Sequence, residues 1–462
     1  MSYLLKAMGF WIWGLIAIAI SVSLVSIGYR TISAYRPRYS AYDVTRDTAP
    51  DEAREAGALS AATAPLTASG STSAQPVIGK AIAKQMTAAQ KDMNAGQWSE
   101  MIKDLEAAEA KTGLTAYDEA KINEFKGYAS VKLNNLKAAQ AAYEAAVAAG
   151  AYKAEELAKI FHLLFQLAAT NHQDAKAIEY GERAAAAGAA GDNDLLIMSQ
   201  LYYQQKDCKK SALWGDKAID AFKEAGQTPK EVLYQIKLQC AGDAGDTGAM
   251  KAALYDLIRL TNKASYWNNL LRLERQDERD DHNTLMIYRV MFDTHSMNAD
   301  TDYIEMAQLL GDAGLAVEAQ AVLEKAMSSG VFKDEHKERA TRLLDAFGTR
   351  ADADMKGLPA LEVEARKNPA GALDVKLGEI YFGAGDFGDA ASVISRGIDK
   401  GQLRQLDEAY VSLGRSLTAD KELAGAKQAF AKLKSLPNFS PRVLKLWNLY
   451  ADMIPAKLSE PL

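Results

Sequence analysis

The chain has 462 residues, 25% of them charged and 48% hydrophobic, with a formal net charge of −6 and a pI near 5.6. That length can bury a sizeable core and admits more than one domain. The acid excess excludes a general nucleic-acid binder, which needs surplus cations to displace counterions from phosphate. Alanine is abundant and proline scarce after residue 76, so composition favours helices over strands.

From Met8 to Tyr29 the run MGFWIWGLIAIAISVSLVSIGY holds no charge for 22 residues. It is long enough for a bilayer core, and Trp11, Trp13 and Tyr29 suit the interfaces. Residues 1–30 are therefore expected to be a membrane anchor or signal segment. An uncleaved anchor is the first expectation; cleavage near Ser26-Ile27-Gly28 is the alternative. Arg30, Arg36 and Arg38 follow the span, so charge counting alone does not favour export. The Ala/Ser/Thr/Pro-rich character of the next stretch does resemble linkers of exported proteins. The folded body is expected in the periplasm, tethered to the inner membrane by an N-terminal helix. A secreted periplasmic form and a membrane-anchored cytoplasmic form are the alternatives. Residues 31–76 are expected to be a flexible linker, because residues 47–76 hold hardly any large apolar side chain to offset their ordering entropy.

Beyond residue 76 the chain repeats. AGDFGDAASVISRG (384–397) aligns with AGQWSEMIKDLEAA (95–108), and AIEYGERA (177–184) with SALWGDKA (211–218). AQAVLEKA (319–326) and AKQAFAKL (426–433) continue the series. Leu377, Gly378, Tyr381, Ala390 and Ile394 share a spacing with Leu413, Gly414, Leu417, Ala426 and Phe430; Gly127, Ala139, Tyr143 and Ala146 follow it too. This pattern resembles the tetratricopeptide repeat (TPR) family. The residue that opens each second helix is Met101, Ala139, Ala177, Ser211, Met250, Thr284, Ala319, Met355, Ala390 and Ala426, at intervals of 34 to 39. The units at 250, 284 and 355 are degenerate, and Pro359 falls inside the last.

The resemblance implies an all-α TPR-like α-solenoid, a right-handed superhelix of about ten helix pairs over residues 77–439. One pair cannot cover its own apolar face, so units stack. Residues 440–462 are expected to form a closing helix and tail, with Pro441 in the first turn and Leu444, Trp447, Leu449 and Tyr450 covering the stack.

The hexamer GAGDFG (383–388) matches the glycine fingerprint of dinucleotide loops. Such a loop must follow a strand, whereas Leu373, Leu377, Ile380 and Tyr381 recur at helical spacing. Gly385 is therefore expected to end a helix, where a positive φ favours glycine, and Asp389 to begin the next. Nucleotide, hydrolase and metal motifs are missing, and the five histidines (His162, His172, His282, His295, His336) share no ligand spacing. RQDERDDHN (275–283) reads as a solvated loop of mixed sign. No cofactor, metal or small-molecule substrate is expected.

Cys208 falls in the turn of one unit and Cys240 near the end of the next unit's first helix. These places lie at one edge of adjacent units, so a disulfide is expected in an oxidising compartment, with two buried thiols as the alternative.

In TPR-like superhelices the first helices line the ligand groove. The residue after the Leu-Gly position is Gln166, Gln200, Gln239 and, following Leu273, Gln308. Lys159, His162, Asn193, Tyr203, Gln235, Asn269 and Gln276 are neighbouring groove positions, with Tyr128 and Tyr203 able to pack against a peptide. Amides both donate and accept, which suits an extended peptide backbone. The Lys/Asn/Lys/Arg set with which some relatives clamp a C-terminal carboxylate is missing, so chaperone-tail recognition is not expected.

The expected function is a non-enzymatic interaction scaffold or adaptor of the bacterial cell envelope, binding a protein or peptide partner. The tail resembles envelope repeat proteins, some associated with Ton-type energy transduction to outer-membrane transporters. One alternative is a recruiting subunit of an envelope assembly, secretion or polysaccharide-export machine. Another is an enzyme with a cryptic hydrolytic site built on Glu274, Asp277, Glu278 and His282.

Overall fold

The computed structural model describes residues 77–437 and 439–455. The anchor, the linker and the tail beyond residue 455 lie outside them, with every expectation attached to them. Among the described residues all regular elements are helical, and no helix is long and apolar enough to cross a membrane. The fold is an all-α, TPR-like solenoid. It divides into two compact units at residue 240.

Unit 1 is a series of helix pairs: α1 (Ala83–Asn94) with α2 (Trp98–Glu109), α3 (Ala116–Lys132) with α4 (Leu136–Ala148), α5 (Ala154–Thr170) with α6 (Asp174–Ala186), and α7 (Asp192–Gln204) with α8 (Cys208–Glu224). The next first helix, α9 (Glu231–Asp243), contains the division between the units. Some starts have a local cause in a capping side chain. Thr115 and Asp118 form a reciprocal capping box on α3: Asp118 N–H donates to Thr115 Oγ1 (3.1 Å) and Thr115 N–H to Asp118 Oδ2 (3.0 Å). Asn135 and Asp207 accept from the first turns of α4 and α8.

Small residues let paired helices touch. A Cβ added at Gly127 would lie 2.8 Å from the Tyr143 ring, so the glycine is needed for close approach. The markers Met101, Ala139, Ala177 and Ser211 are all fully buried at these crossings.

Unit 2 contains α10 (Thr247–Thr261), α11 (Ala264–Gln276), α12 (Asp281–Asp293), α13 (Asp300–Asp312) and α14 (Ala316–Ser329). These are followed by α15 (Asp334–Lys367), α16 (Ala372–Ala384), α17 (Phe387–Lys400), α18 (Leu406–Ala419), α19 (Leu423–Lys432) and α20 (Pro441–Met453). Glycine again marks the crossings: added Cβ atoms would lie 2.3 Å from Ile394 at Gly378 and 2.6 Å from Phe430 at Gly414. Gly385 caps α16 in the left-handed region (φ 88°), and Asp389 sits in the first turn of α17. GAGDFG is thus a helix–helix turn. The closing helix begins on Pro441 and packs on α10, α12 and α19. Trp447 stacks on Phe430 with centroids 5.3 Å apart, and Tyr450 meets both rings edge-on.

The sequence pattern misplaces one unit. Where it puts a helix pair around Met355, α15 is a single helix of 34 residues with Pro359 inside it. Turns in most of the other pairs contain a left-handed residue (Gly96, Asn134, His172, Lys206, Gly245, Gly314, Gly385 and Lys421), the turn between α11 and α12 being the exception. No left-handed residue occurs between 334 and 367, and the helix runs on without a turn. Met355 is consequently 39% exposed, unlike the buried markers.

Candidate functional site

The first helices of unit 1 carry one repeated position. Gln90, Tyr128, Gln166, Gln200 and Gln239 each lie four residues before the last residue of their helix. Gln90, in the sequence AAQKDMN, is an addition to the positions read from the sequence. In unit 2 Gln308 holds the same place on α13. On α11 it falls on Arg272, one residue before Leu273, and Asn269 lies a turn earlier.

The side chains at this position differ in exposure. Gln166 is half-buried, and its Nε2 lies 3.1 Å from His162 Nε2. His162 Nδ1 lies 2.8 Å from Asp194 Oδ2 on the neighbouring first helix α7. Lys121 on α3 bridges to Glu124 at 2.8 Å and to Glu156 of α5 at 3.9 Å. Tyr152 donates its hydroxyl to Glu124 (2.7 Å). Burial, and then the charge of Glu124, raise the Tyr152 phenol far above its usual range, so it stays a neutral donor. These bridges fix successive first helices side by side.

Gln200 is a correction. It is 7% exposed and so is not presented to a ligand. Packing is close there: Ser199 Oγ donates to the Ser211 carbonyl (2.9 Å) and Ser211 Oγ to the Ser199 carbonyl (2.8 Å). This reciprocal pair joins α7 to α8 one residue before Gln200. Tyr128 is half-buried and packs edge-on against Trp98 (5.7 Å), with Lys132 over its ring. Tyr203, Gln235 and Gln239 are half-buried, and Gln235 donates to Glu231 at 3.2 Å. Lys159 and Asn193 are exposed. The accessible strip of unit 1 therefore comprises Lys159, His162, Gln166, Asn193, Tyr203, Gln235 and Gln239.

At the edge of the same unit the Sγ atoms of Cys208 and Cys240 are bonded, with Cα atoms 5.6 Å apart. The bridge ties the start of α8 to the turn of α9 that carries Gln239.

Unit 2 treats the equivalent face differently. Directly after Gly378 of α16 and Gly414 of α18 come Glu379 and Arg415, and both face a charge network around α12. Arg289, 0% exposed, donates to Glu318 (2.9 Å) and Glu408 (3.3 Å). Arg415 donates to Glu318 (2.6 Å) and to Asp293 (2.8 Å). The two guanidiniums overcome burial and hold the Glu318 carboxyl down at about 2. Helix α12 is buried from Thr284 to Met291 without a break, the mark of a helix enclosed on all sides. Gln308 accepts from Arg339 at 3.0 Å.

RQDERDDHN is a partly exposed run with no buried residue, and several of its charges are paired. Arg275 donates to Glu305 (2.7 Å) and to the Tyr288 hydroxyl. Glu274 and Asp277 share Lys251 (3.0 and 2.9 Å), Glu278 faces Arg442 (3.8 Å), and His282 faces Asp407 (3.1 Å). The four residues of the hydrolytic alternative thus each have a partner outside the set. Among the described residues no cluster of ligating side chains suits a metal ion.

No protein-family model matches the chain, and no curated protein matches it. Solved structures do resemble it. A tetratricopeptide repeat protein from Parabacteroides merdae is 12% identical, covering 80% of this chain and 99% of its own, with a TM-score of 0.30. The TPR2AB domain of yeast Sti1, in complex with pHSP90, is 14% identical over 58% of this chain and 98% of its own, with a TM-score of 0.33. The C-terminal part of a TPR repeat-containing protein from Cytophaga hutchinsonii is 12% identical over 78% of this chain and 98% of its own, with a TM-score of 0.28. At such identities the ligand of any of them says nothing about this chain.

Proposed function

We propose that this chain is a non-enzymatic interaction scaffold whose ligand face is the first-helix strip of unit 1. The observation that carries this is a contrast between first helices of the two units. Gln166 and Gln239 are half-buried on cross-braced helices, whereas Glu379 and Arg415 are engaged by their own unit. Half-buried amides on a braced surface lose little freedom when they bind a peptide backbone. The partner is an extended segment of another protein.

The apolar run from Met8 to Tyr29 and the Cys208–Cys240 bridge support an envelope location, since structural disulfides persist in oxidising compartments. Tethering at the inner membrane, facing the periplasm, would raise the local concentration of the scaffold near envelope partners. A link to Ton-dependent outer-membrane transport rests on the resemblance of the C-terminal repeats and is the narrowest part of the proposal.

Replacing Gln166 and Gln239 together with alanine should weaken partner capture at least about tenfold, at roughly one charge-free hydrogen-bond pair lost per site, and leave the helical circular dichroism unchanged. Undiminished capture by the folded variant would remove the strip from the account.

A further inference from the structure

Helices α12 and α18 of unit 2 lie some 120 residues apart in sequence, yet three ion pairs join them. His282 Nε2 faces Asp407 Oδ2 (3.1 Å), Arg289 faces Glu408 (3.3 Å), and Arg415 faces Asp293 (2.8 Å). Residue numbers rise together along both helices, so the two run side by side in one direction. Glu318 of α14 joins Arg289 to Arg415. Glu379 of α16 enters the same cluster and accepts from Ser412 Oγ of α18 (3.3 Å).

The charges of this seam do not balance. Asp293, Glu318, Glu379 and Glu408 face Arg289 and Arg415, Lys325 of α14 adds its charge beside Asp293, and Tyr450 of α20 adds no cation. At its entrance stand His282, Asp407 and the Gln405 amide, 3.4 Å from His282 Nδ1. From α11 and α13, Arg275, Asp302 and Glu305 meet α12 at Tyr288. Asp293, Glu318 and Glu408 each pair with a guanidinium, whereas half-buried Glu379 accepts from the Ser412 hydroxyl, and the geometry assigns to it the place without a cation of its own.

We propose that the α12–α18 seam is a proton-operated latch, closed while His282 is charged and Glu379 is neutral, and loosened once both have lost their protons. Removal from water, and then the charge of Glu408, push the Glu379 carboxyl up to about 8. The hydrogen bond to Asp407 raises His282 above its usual 6.5. The signs agree. Each group holds its proton more tightly in the folded unit, so each contributes stability that is lost as pH rises, for Glu379 between 4.5 and about 8. Glu318 and Asp407 are shifted downward and weaken the seam only in acid. Opening would free the inner face of α16 and α18, the counterpart of the ligand strip of unit 1.

Hydrogen exchange of the full chain between pH 6 and 9, corrected for intrinsic rates, tests the latch. Peptides spanning 281–293 and 406–419 should lose protection by about tenfold or more relative to peptides of α5 and α6. Glu379→Gln should leave only the histidine step, and His282→Gln with Glu379→Gln should abolish the dependence. Should these variants not fold, Ser412→Ala serves instead: without its hydrogen bond Glu379 keeps its proton to higher pH, and the loss of protection moves up. The latch is overturned if the wild-type seam loses no more protection than α5 and α6. It is equally overturned if the double variant keeps the wild-type loss, or if Ser412→Ala leaves its midpoint in place.

Discussion

The two units apply one repeat to opposite ends. In unit 1 the inward position of the first helices holds amides and a tyrosine, braced by Lys121–Glu156 and His162–Asp194 and left partly open to solvent. In unit 2 the residues after Gly378 and Gly414 are Glu379 and Arg415, which join a charge network around the enclosed helix α12. Uncharged polar groups on such a face cost little to desolvate and suit reversible capture. Charged groups there must be paired within the fold, because an unpaired buried charge costs several kcal/mol. Identical scaffolding thus yields a surface in one unit and a core in the other.

The largest expected effect lies in the core of unit 2. Arg415→Met leaves Glu318 and Asp293 without their shared cation, and removing one partner of a buried pair costs about 3–5 kcal/mol. Urea melts followed by hydrogen exchange should show the loss in unit 2 and not in α1–α6. Equal loss in both would dissolve the distinction. Next comes the edge of unit 1. Cys208→Ser opens a loop closed at a separation of 32 residues, worth about 3–4 kcal/mol in the chain-entropy model. Exchange should rise at α8 and α9, and partner capture should weaken because the turn carrying Gln239 is no longer tied to α8. Unaltered capture would show that bracing is dispensable.

Much of this was legible in the sequence because its causes are local. Gly385 announced a helix end, since only a residue tolerant of positive φ serves there, and Gly127, Gly378 and Gly414 marked close crossings by their distance from Tyr143, Ile394 and Phe430. Cys208 and Cys240 could be placed on one edge from the register alone. What escaped depends on distant partners. Nothing near Arg289 names Glu408, and nothing near Asp293 names Arg415; only the continuous run LMIYRVM hinted that α12 is enclosed. Buried Gln200 stands next to a pair of serines bonded twelve residues apart, below the resolution of a repeat pattern. Asn134, His172, Lys206 and Lys421 adopt left-handed turns that glycine holds elsewhere, so turn chemistry was only half visible. In α15 one long helix runs where the period places a helix pair, and the period alone could not foresee it.

In vivo photo-crosslinking at the shared repeat position tests the central contrast most directly. A photoreactive residue at Gln166 or at Gln239 should capture the same protein partner, and one at Gln308 of unit 2 should capture none. A partner captured from Gln308 and from neither position of unit 1 would contradict the account.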